Sequence, residues 1–333
     1  MSELRLNRAT KEWIIVAKER AKRPYEFYAE RHREKLPAFD PTCPFCPGNE
    51  NKTPPEVFAL RDPQTKPNHP GWRIRVVTNK YPALDPTTKI NRITGEFFKS
   101  ATGVGKHEVI IESTQHHKSL ATLSIKQVQE VCEIYWRRYG VLKDDKRFKL
   151  IIIFRNHGIS AGTSLKHPHS QLIALPLVPA SIRHLLEEAM RYYDDHGSCV
   201  FCDMIQEELL HKKRIILDSR DFVVFHPFAS RTPFETWIVP KKHHACFGNI
   251  DPKEVKAMAG VLKEVLGKLY LKLKDPDYNL MIRTAPIKDA LEDYYHWYIQ
   301  ILPRLTTPAG FELGSGVFIN TSLPEDTAKF ITS

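Results

Sequence analysis

Two Cys-x-x-Cys pairs, Cys43-Pro-Phe-Cys46 and Cys199-Val-Phe-Cys202, each head a series of signals that recurs in the same order along the chain. After the first pair come the run Trp72 to Leu84, the run HEVIIES, His116, a stretch from about Ser124 to Tyr139, the run KLIIIFRN and then HPHSQLIALP. After the second come DFVVFHPFASRTPFETWIVP, His243, a stretch opened by Asp251-Pro252, the run YNLMI and then HWYIQILP. The β-branched runs predict strands, and the apolar residues at 3.6-residue spacing behind an N-cap predict helices near 124–139 and 251–270. His116 and His167 are 51 positions apart, and His243 and His296 are 53 apart, whereas the first half carries 29 extra residues between its Cys pair and its first His. Order and spacing together point to a duplicated α+β unit.

Each half therefore offers Cys, Cys, His, His in that order. Two thiolates three positions apart can grip one tetrahedral ion, and four protein donors leave no open position, as in a structural zinc site. A disulfide is disfavoured in a reducing compartment, and a redox pair would open a helix behind a strand, a setting expected of neither pair. His116 competes with His117, and His243 with His244; the matching separations favour the first of each pair. Cys132 and Cys246 stand alone and read as small core residues.

With 333 residues, 42% hydrophobic and 26% charged, the chain can bury a core large enough for two domains and is no disordered or fibrous protein. No apolar run nears the length of a membrane span, and the N-terminal segment lacks a signal-peptide core, so a cytoplasmic enzyme without membrane contact is expected. The net charge of +10 favours anionic partners. Because the basic residues are dispersed, a small phosphorylated substrate suits them at least as well as nucleic acid. Zinc modules that bind nucleic acid close their ligand sets within a short segment, whereas here the histidines lie tens of residues from the cysteines, which excludes a nucleic-acid partner.

His167-Pro168-His169-Ser170-Gln171 follows the Gly/Ser-rich approach Asn156 to Ser164, which includes Gly162. On a strand, His167, His169 and Gln171 face one way. Three polar residues on one side of an apolar strand, beside a loop able to present N–H groups to a phosphate, are costly unless used. With RAKRP at Arg20, NKYPAL at Asn79, NHGISAGTS at Asn156 and GFELGSG at Gly310, this segment resembles the galactose-1-phosphate uridylyltransferase family of the histidine-triad superfamily, a branch that includes ADP-glucose phosphorylase-like relatives.

The resemblance implies two tandem histidine-triad-like units, 1–180 with the HPHSQ motif and 181–333 in degenerate form, sharing a mostly antiparallel sheet with helices packed on it. It implies that His169 attacks the α-phosphorus of a nucleotide-sugar. Gln171 and Ser164 would hold phosphate oxygens, Asn156 and Asn79 the nucleotide, Arg20 and Arg23 a hexose phosphate or departing phosphate, and Glu312 beside Phe311 the sugar. Zinc would sit in both ligand sets, Cys43, Cys46, His116, His167 and Cys199, Cys202, His243, His296, and the chain would form a homodimer. Tyr298 stands where a second nucleophile would be. Phe318 replaces the glutamine with which the longer uridylyltransferases touch galactose. Imidazole is a good nucleophile at neutral pH, and glutamine in place of the third histidine of the triad hydrolases suits a leaving phosphate that needs no acid. The expected activity is nucleotidyl transfer in two displacements, first of all between UDP-glucose and galactose 1-phosphate, with adenylyl transfer from ADP-glucose or another donor to phosphate or sulfate as the alternative.

Overall fold

The structure is a computed structural model that describes residues 2–18, 24–27 and 35–333. In chain order its elements are strands β1 (Glu3–Leu6), β2 (Trp13–Val16), β3 (Glu56–Arg61), β4 (Trp72–Thr78), β5 (Arg92–Thr94), β6 (Lys99–Ala101) and β7 (Lys106–Ile111), helix α1 (Ile125–Lys143), and strands β8 (Leu150–His157) and β9 (His169–Leu175). Helices α2 (Ala180–His196) and α3 (Val200–His211) follow, then β10 (Ile215–Asp218), β11 (Phe222–Phe225), β12 (Thr236–Pro240), α4 (Pro252–Lys272), β13 (Tyr278–Arg283), β14 (Tyr298–Pro303), α5 (Gly310–Ser315), β15 (Phe318–Asn320) and α6 (Pro324–Thr332).

The chain is an α+β protein. Its main sheet, ten strands among the described residues, runs β10-β11-β12-β14-β13-β8-β9-β7-β4-β3, and every neighbouring pair in it is antiparallel. From either edge to the centre the order is the same: first, second, third, fifth and fourth strand of each half. The fourth strands, β8 and β13, pair at the centre, with Asn156 opposite Asn279. A small sheet joins β1, β2 and β15 near the chain ends. The extra length of the first half includes the exposed β5–β6 hairpin.

Helices α1 and α4 pack on each other and on one face of the sheet, in a core that runs through both halves. Capping sets where each begins. Ser124 Oγ accepts from Gln127 N–H while Gln127 Oε1 accepts from Ser124 N–H, and Asp251 and Glu254 repeat the exchange ahead of Pro252 at the first turn of α4. Helix α1 continues to Lys143, past the expected end at 139. Gly140 costs about 1 kcal/mol in a helix, but Leu142 beyond it is buried and prolongs the apolar stripe. The opposite face differs between the halves. Over the second half α2 and α3 cover the sheet, and Phe201 of α3 packs into an aromatic cluster with Trp237, Tyr295 and Tyr298. Over the first half, among the described residues, lie a small cluster about Cys43, Phe45 and Trp72 and an open cavity. Among the described residues no helix is long and apolar enough to cross a membrane.

Candidate active site and metal centres

The first cysteine pair lies in the turns before β3, His116 follows the end of β7, and His167 precedes β9. The donor atoms of Cys43, Cys46, His116 and His167 all lie within 4.8 Å of one another, and all four residues are buried. Cys46 Sγ is 3.5 Å from His116 Nδ1 and 3.6 Å from His167 Nδ1. A tetrahedral zinc ion, with bonds of about 2.3 Å to sulfur and about 2.0 Å to nitrogen, sets neighbouring S and N donors about 3.5 Å apart. His167 Nε2–H donates to Ser113 O at 2.8 Å, which leaves Nδ1 with its lone pair turned inward. Burial lowers the pKa of His167 to about 4 and also lowers that of His116, so both rings are neutral and free to ligate. Burial, then the neighbouring Cys46, pushes Cys43 up to about 11. Two buried thiols in contact lose both protons only around a cation. His117 instead lines the cavity described below.

The second set is less closed. Cys199, Cys202 and His243 bring their donor atoms within 4.8 Å of one another, with Cys202 Sγ 3.3 Å from His243 Nδ1. His296 is not in that group. Its Nδ1–H donates to Trp297 O at 2.9 Å, so the ring offers Nε2, and that atom is buried without a partner beside the His243 ring, 5.1 Å between centroids. Burial holds His296 neutral, with a pKa of about 3. A buried ring nitrogen without a protein partner, beside a Cys-Cys-His cluster, fits the place of a fourth metal ligand. No helix is expected here from the sequence, yet Cys199 stands at the N-cap position of α3 and Cys202 lies in its first turn. The hydrogen bond from Cys202, then that to His243, draws Cys199 down to about 5, while Cys202 is raised by the same bond. This pair differs from a redox one in following a helix rather than a strand and in facing two histidines. His244 pairs with Glu254 at 3.2 Å.

His169, the first residue of β9, stands on the wall of a cavity of about 1040 Å³ that is also lined by Arg155, Asn156, Gly158 and Asp277, with Lys118, Lys166 and Lys274 around it. Strand β9 begins at His169, so His167 sits just ahead of the alternation expected to include it. His169 Nδ1–H donates to His167 O at 2.8 Å, which places the free lone pair on Nε2. Burial lowers its pKa, and the ring is 7% exposed. The result is a neutral imidazole held in one tautomer, the state a nucleophile needs.

The loop after β8 is built for close approach. Gly158 has φ +87°, and a Cβ there would meet Asp277 Oδ1 at 2.0 Å, so only glycine fits. Asp277 also accepts from Ser160 N–H at 2.8 Å. Asn279, from the second half, donates through Nδ2 to Asn156 Oδ1 and to Ala161 O, both at 2.8 Å. Gly162 ends the short turn with φ +86°, and Ser164 is exposed. Gln171 Oε1 lies 2.7 Å from His107 Nε2, and Asn79 Nδ2 lies 3.2 Å from the same nitrogen. Phe311 and Glu312 do not line this cavity. They stand on the exposed helix α5, where Glu312 accepts from Ala309 N–H at 3.0 Å. Phe318 pairs in β15, under the Arg231 guanidinium. Arg20 and Arg23 lie outside the described residues.

Several residues of the site were not anticipated, Glu112, Arg155 and His107 among them. Beneath β9, Glu112 accepts from Ser170 Oγ, from Tyr135 OH at 3.1 Å and from Arg155 Nε at 3.0 Å, forming an ion pair that is almost fully buried. Charged residues inside the otherwise apolar runs HEVIIES and KLIIIFRN were the available signal, since burial of either is costly unless they meet. His107 carried no signal of its own.

The profile for the galactose-1-phosphate uridyl transferase N-terminal domain matches residues 1–179. ADP-glucose phosphorylase of Arabidopsis thaliana is 37% identical over 331 residues, 98% of this chain and 91% of that one. The galactose-1-phosphate uridylyltransferase of Thermotoga maritima is 29% identical over 340 residues, 99% of this chain and 97% of that one. Among solved structures, an A. thaliana ADP-glucose phosphorylase with bound ADP-glucose superposes with a TM-score of 0.81 at 34% identity, covering 100% of this chain and 99% of that one. A uridylyltransferase structure gives 0.75 at 26%, covering 100% and 97%. With over half of the chain matched by the family profile and nearly all of it by these relatives, the chain belongs to the galactose-1-phosphate uridylyltransferase family and is a nucleotidyltransferase.

Proposed function

We propose that the chain exchanges the nucleotidyl group of a nucleoside diphosphate glucose through a covalent nucleotidyl-His169. The observation that carries this reading is the His169 tautomer, with Nδ1–H tied to His167 O and Nε2 free at the cavity wall. Nε2 attacks the α-phosphorus, the N–P bond forms, and the bond to the bridging oxygen breaks to release glucose 1-phosphate. An oxygen of the acceptor phosphate then attacks the same phosphorus and displaces the imidazole. Each displacement inverts the phosphorus, so the cycle retains configuration. The leaving phosphate carries its own charge and needs no acid, which suits Gln171 at a position where a hydrolase would carry histidine. Asn156, Gly162 and Ser164 hold the nucleotide and its phosphates, with Asn79 and Gln171 on the same side.

For the donor we favour ADP-glucose with inorganic phosphate as acceptor. Support comes from the 37% identity to an ADP-glucose phosphorylase against 29% to a uridylyltransferase, and from Phe318 at the place of the galactose-contacting glutamine. Exchange between UDP-glucose and galactose 1-phosphate is the second reading, supported by the family profile and several curated uridylyltransferases. Incubation of pure protein with each donor alone, followed by mass analysis of the peptide holding His169, tests both. An AMP-sized gain from ADP-glucose that phosphate discharges is expected. A UMP-sized gain alone establishes the second reading, and no gain on His169 from either removes the covalent mechanism.

The same reading takes residues 1–180 and 181–333 as two histidine-triad-like units, the second without its own nucleophile. Two zinc ions per chain, held by Cys43, Cys46, His116 and His167 and by Cys199, Cys202, His243 and His296, would tie loops to strand ends and take no part in the chemistry. A cytoplasmic homodimer would allow exposed α5, with Phe311 and Glu312, to reach a partner's cavity.

A further inference from the structure

The two halves handle corresponding glutamines in opposite ways. Gln171 on β9 pairs across the sheet with Val109 on β7, and Gln300 on β14 pairs with Trp237 on β12. Two residues before each partner stand His107 and Glu235, and each reaches its glutamine at 2.7 Å. Glu235 can only accept, so it takes an N–H of Gln300, whose carbonyl in turn accepts from Arg283 Nε at 3.0 Å. Gln300 is thus held at both ends and is buried.

At Gln171 the polarity reverses. Ala83 N–H donates to His107 Nδ1 at 3.5 Å, which puts the ring proton on Nε2, and Nε2–H donates to Gln171 Oε1. The Asn79 carbonyl is held separately by Tyr81 N–H at 2.9 Å. The opposite tautomer would let Asn79 Nδ2 donate to Nε2, but it would face Ala83 N–H with another donor and turn the lone pairs of Gln171 toward the substrate. A phosphate oxygen needs a donor there.

We propose that His107 is a positioning residue: by holding the carbonyl of Gln171 it keeps the amide N–H₂ turned out as a donor to the nucleotide phosphate. The inference rests on the reading of Gln171 as a phosphate ligand given above. Glutamate at this position, as at Glu235, would turn the amide over and leave the carbonyl oxygen facing the phosphate.

The test follows the single-turnover rate of His169 labelling at saturating donor, with ADP-glucose and UDP-glucose, alongside donor affinity, melting temperature and metal content. Gln171→Ala is expected to slow labelling roughly 100-fold, the scale for losing one donor to a developing anion. His107→Glu is expected to slow it as much in the native background and to cost nothing further in Gln171→Ala. His107→Gln, whose own amide can donate to Gln171, is expected to recover most of the rate. Equal slowing by His107→Glu and His107→Gln overturns the proposal, as does a His107→Glu defect that persists undiminished in Gln171→Ala, which would mark plain charge repulsion. Full labelling by His107→Glu beside a slow Gln171→Ala overturns the role of His107 alone. A fast Gln171→Ala removes the reading of Gln171, and this inference with it.

Discussion

The two halves share a strand order and differ in what covers the face that carries their corresponding motifs. In the first half that face is open: His169 stands on the wall of a cavity of about 1040 Å³, and Gln171 is half-buried. In the second it is sealed. Tyr298 stands in place of His169, stacked on Trp237 at 4.3 Å and packed on Phe201 from α3, and burial raises its pKa to about 12. Ser170, which bonds to the buried Glu112–Arg155 pair, corresponds to Ile299 in the apolar core. The Gly-rich loop of the first half corresponds to a glycine-free stretch, Thr284 to Tyr295. The buried ion pair thus lies beneath the motif strand in the first half alone of the two, and the second half contributes packing and the Asn279 and Asp277 contacts to the Gly-rich loop.

The sharpest way to break this contrast is to exchange the nucleophile position in each half. His169→Gly should reduce transfer by about 10⁴-fold or more, the scale seen when a covalent nucleophile is removed, with folding and metal content intact. Tyr298→Phe should leave turnover unchanged. Comparable losses in steady-state assays would mean that both halves take part in the chemistry.

The metal sites should separate next. Cys46→Ser and Cys202→Ser should each lose one equivalent of zinc by metal analysis, and each should cost about 3 kcal/mol or more in denaturant titration, because ligand binding is part of the folding free energy. Only the first should also slow transfer, since His167 lies two residues before His169 and its carbonyl holds the Nδ1–H of that proposed nucleophile. An undiminished second ion in Cys202→Ser would remove that ligand set.

A smaller effect is expected of the buried pair. Glu112→Gln leaves Arg155 uncompensated and should destabilise the fold by about 3 kcal/mol, measured as a shift in denaturant midpoint. A change below about 0.5 kcal/mol, the range of ordinary surface substitutions, would show that the buried pair adds no more than a surface contact.

The effect that is smallest near neutral pH concerns the residue after the second strand of each half, half-exposed Asn79 in one and buried His226 in the other. His226 bonds through Nδ1 to Thr327 Oγ1 at 2.7 Å, packs against Phe234, and is depressed by burial to about 3. The unfolded chain takes up this proton near pH 6.5 and the folded one does not. Its contribution is thus complete above about pH 6.5 and falls by about 1.4 kcal/mol per unit as pH drops toward 3. His226→Gln should flatten that part of the stability profile, and an unchanged slope would locate the sensitivity elsewhere.

Much of the site was legible in the sequence because its chemistry is written in short, local spacings. The Cys-x-x-Cys pairs, the HPHSQ segment and the Asn156 to Ser164 loop bring residue types together that have few other uses, and the repeat of their order pointed to two like halves. The class of the fold, the helices on α1 and α4, and the residues that cluster at the first Cys pair follow from that pattern. Helices α2 and α3 did not, because neither opens on a side-chain cap: Pro179 and Cys199 stand at their starts and make no capping hydrogen bond.

What tertiary structure alone decided is which groups meet across long separations. The pairing of β8 with β13 puts Asn279 on Asn156, and the β7–β9 register puts His107 on Gln171. Neither contact has a sequence spacing, because sheet register is set by the sum of many backbone bonds and buried side chains rather than by the residues that happen to touch. The orientation of His296 is likewise a tertiary matter. Its type and position are fixed by the repeated pattern, but whether Nδ1 or Nε2 faces the cysteines depends on the carbonyl that the other nitrogen finds, here that of Trp297.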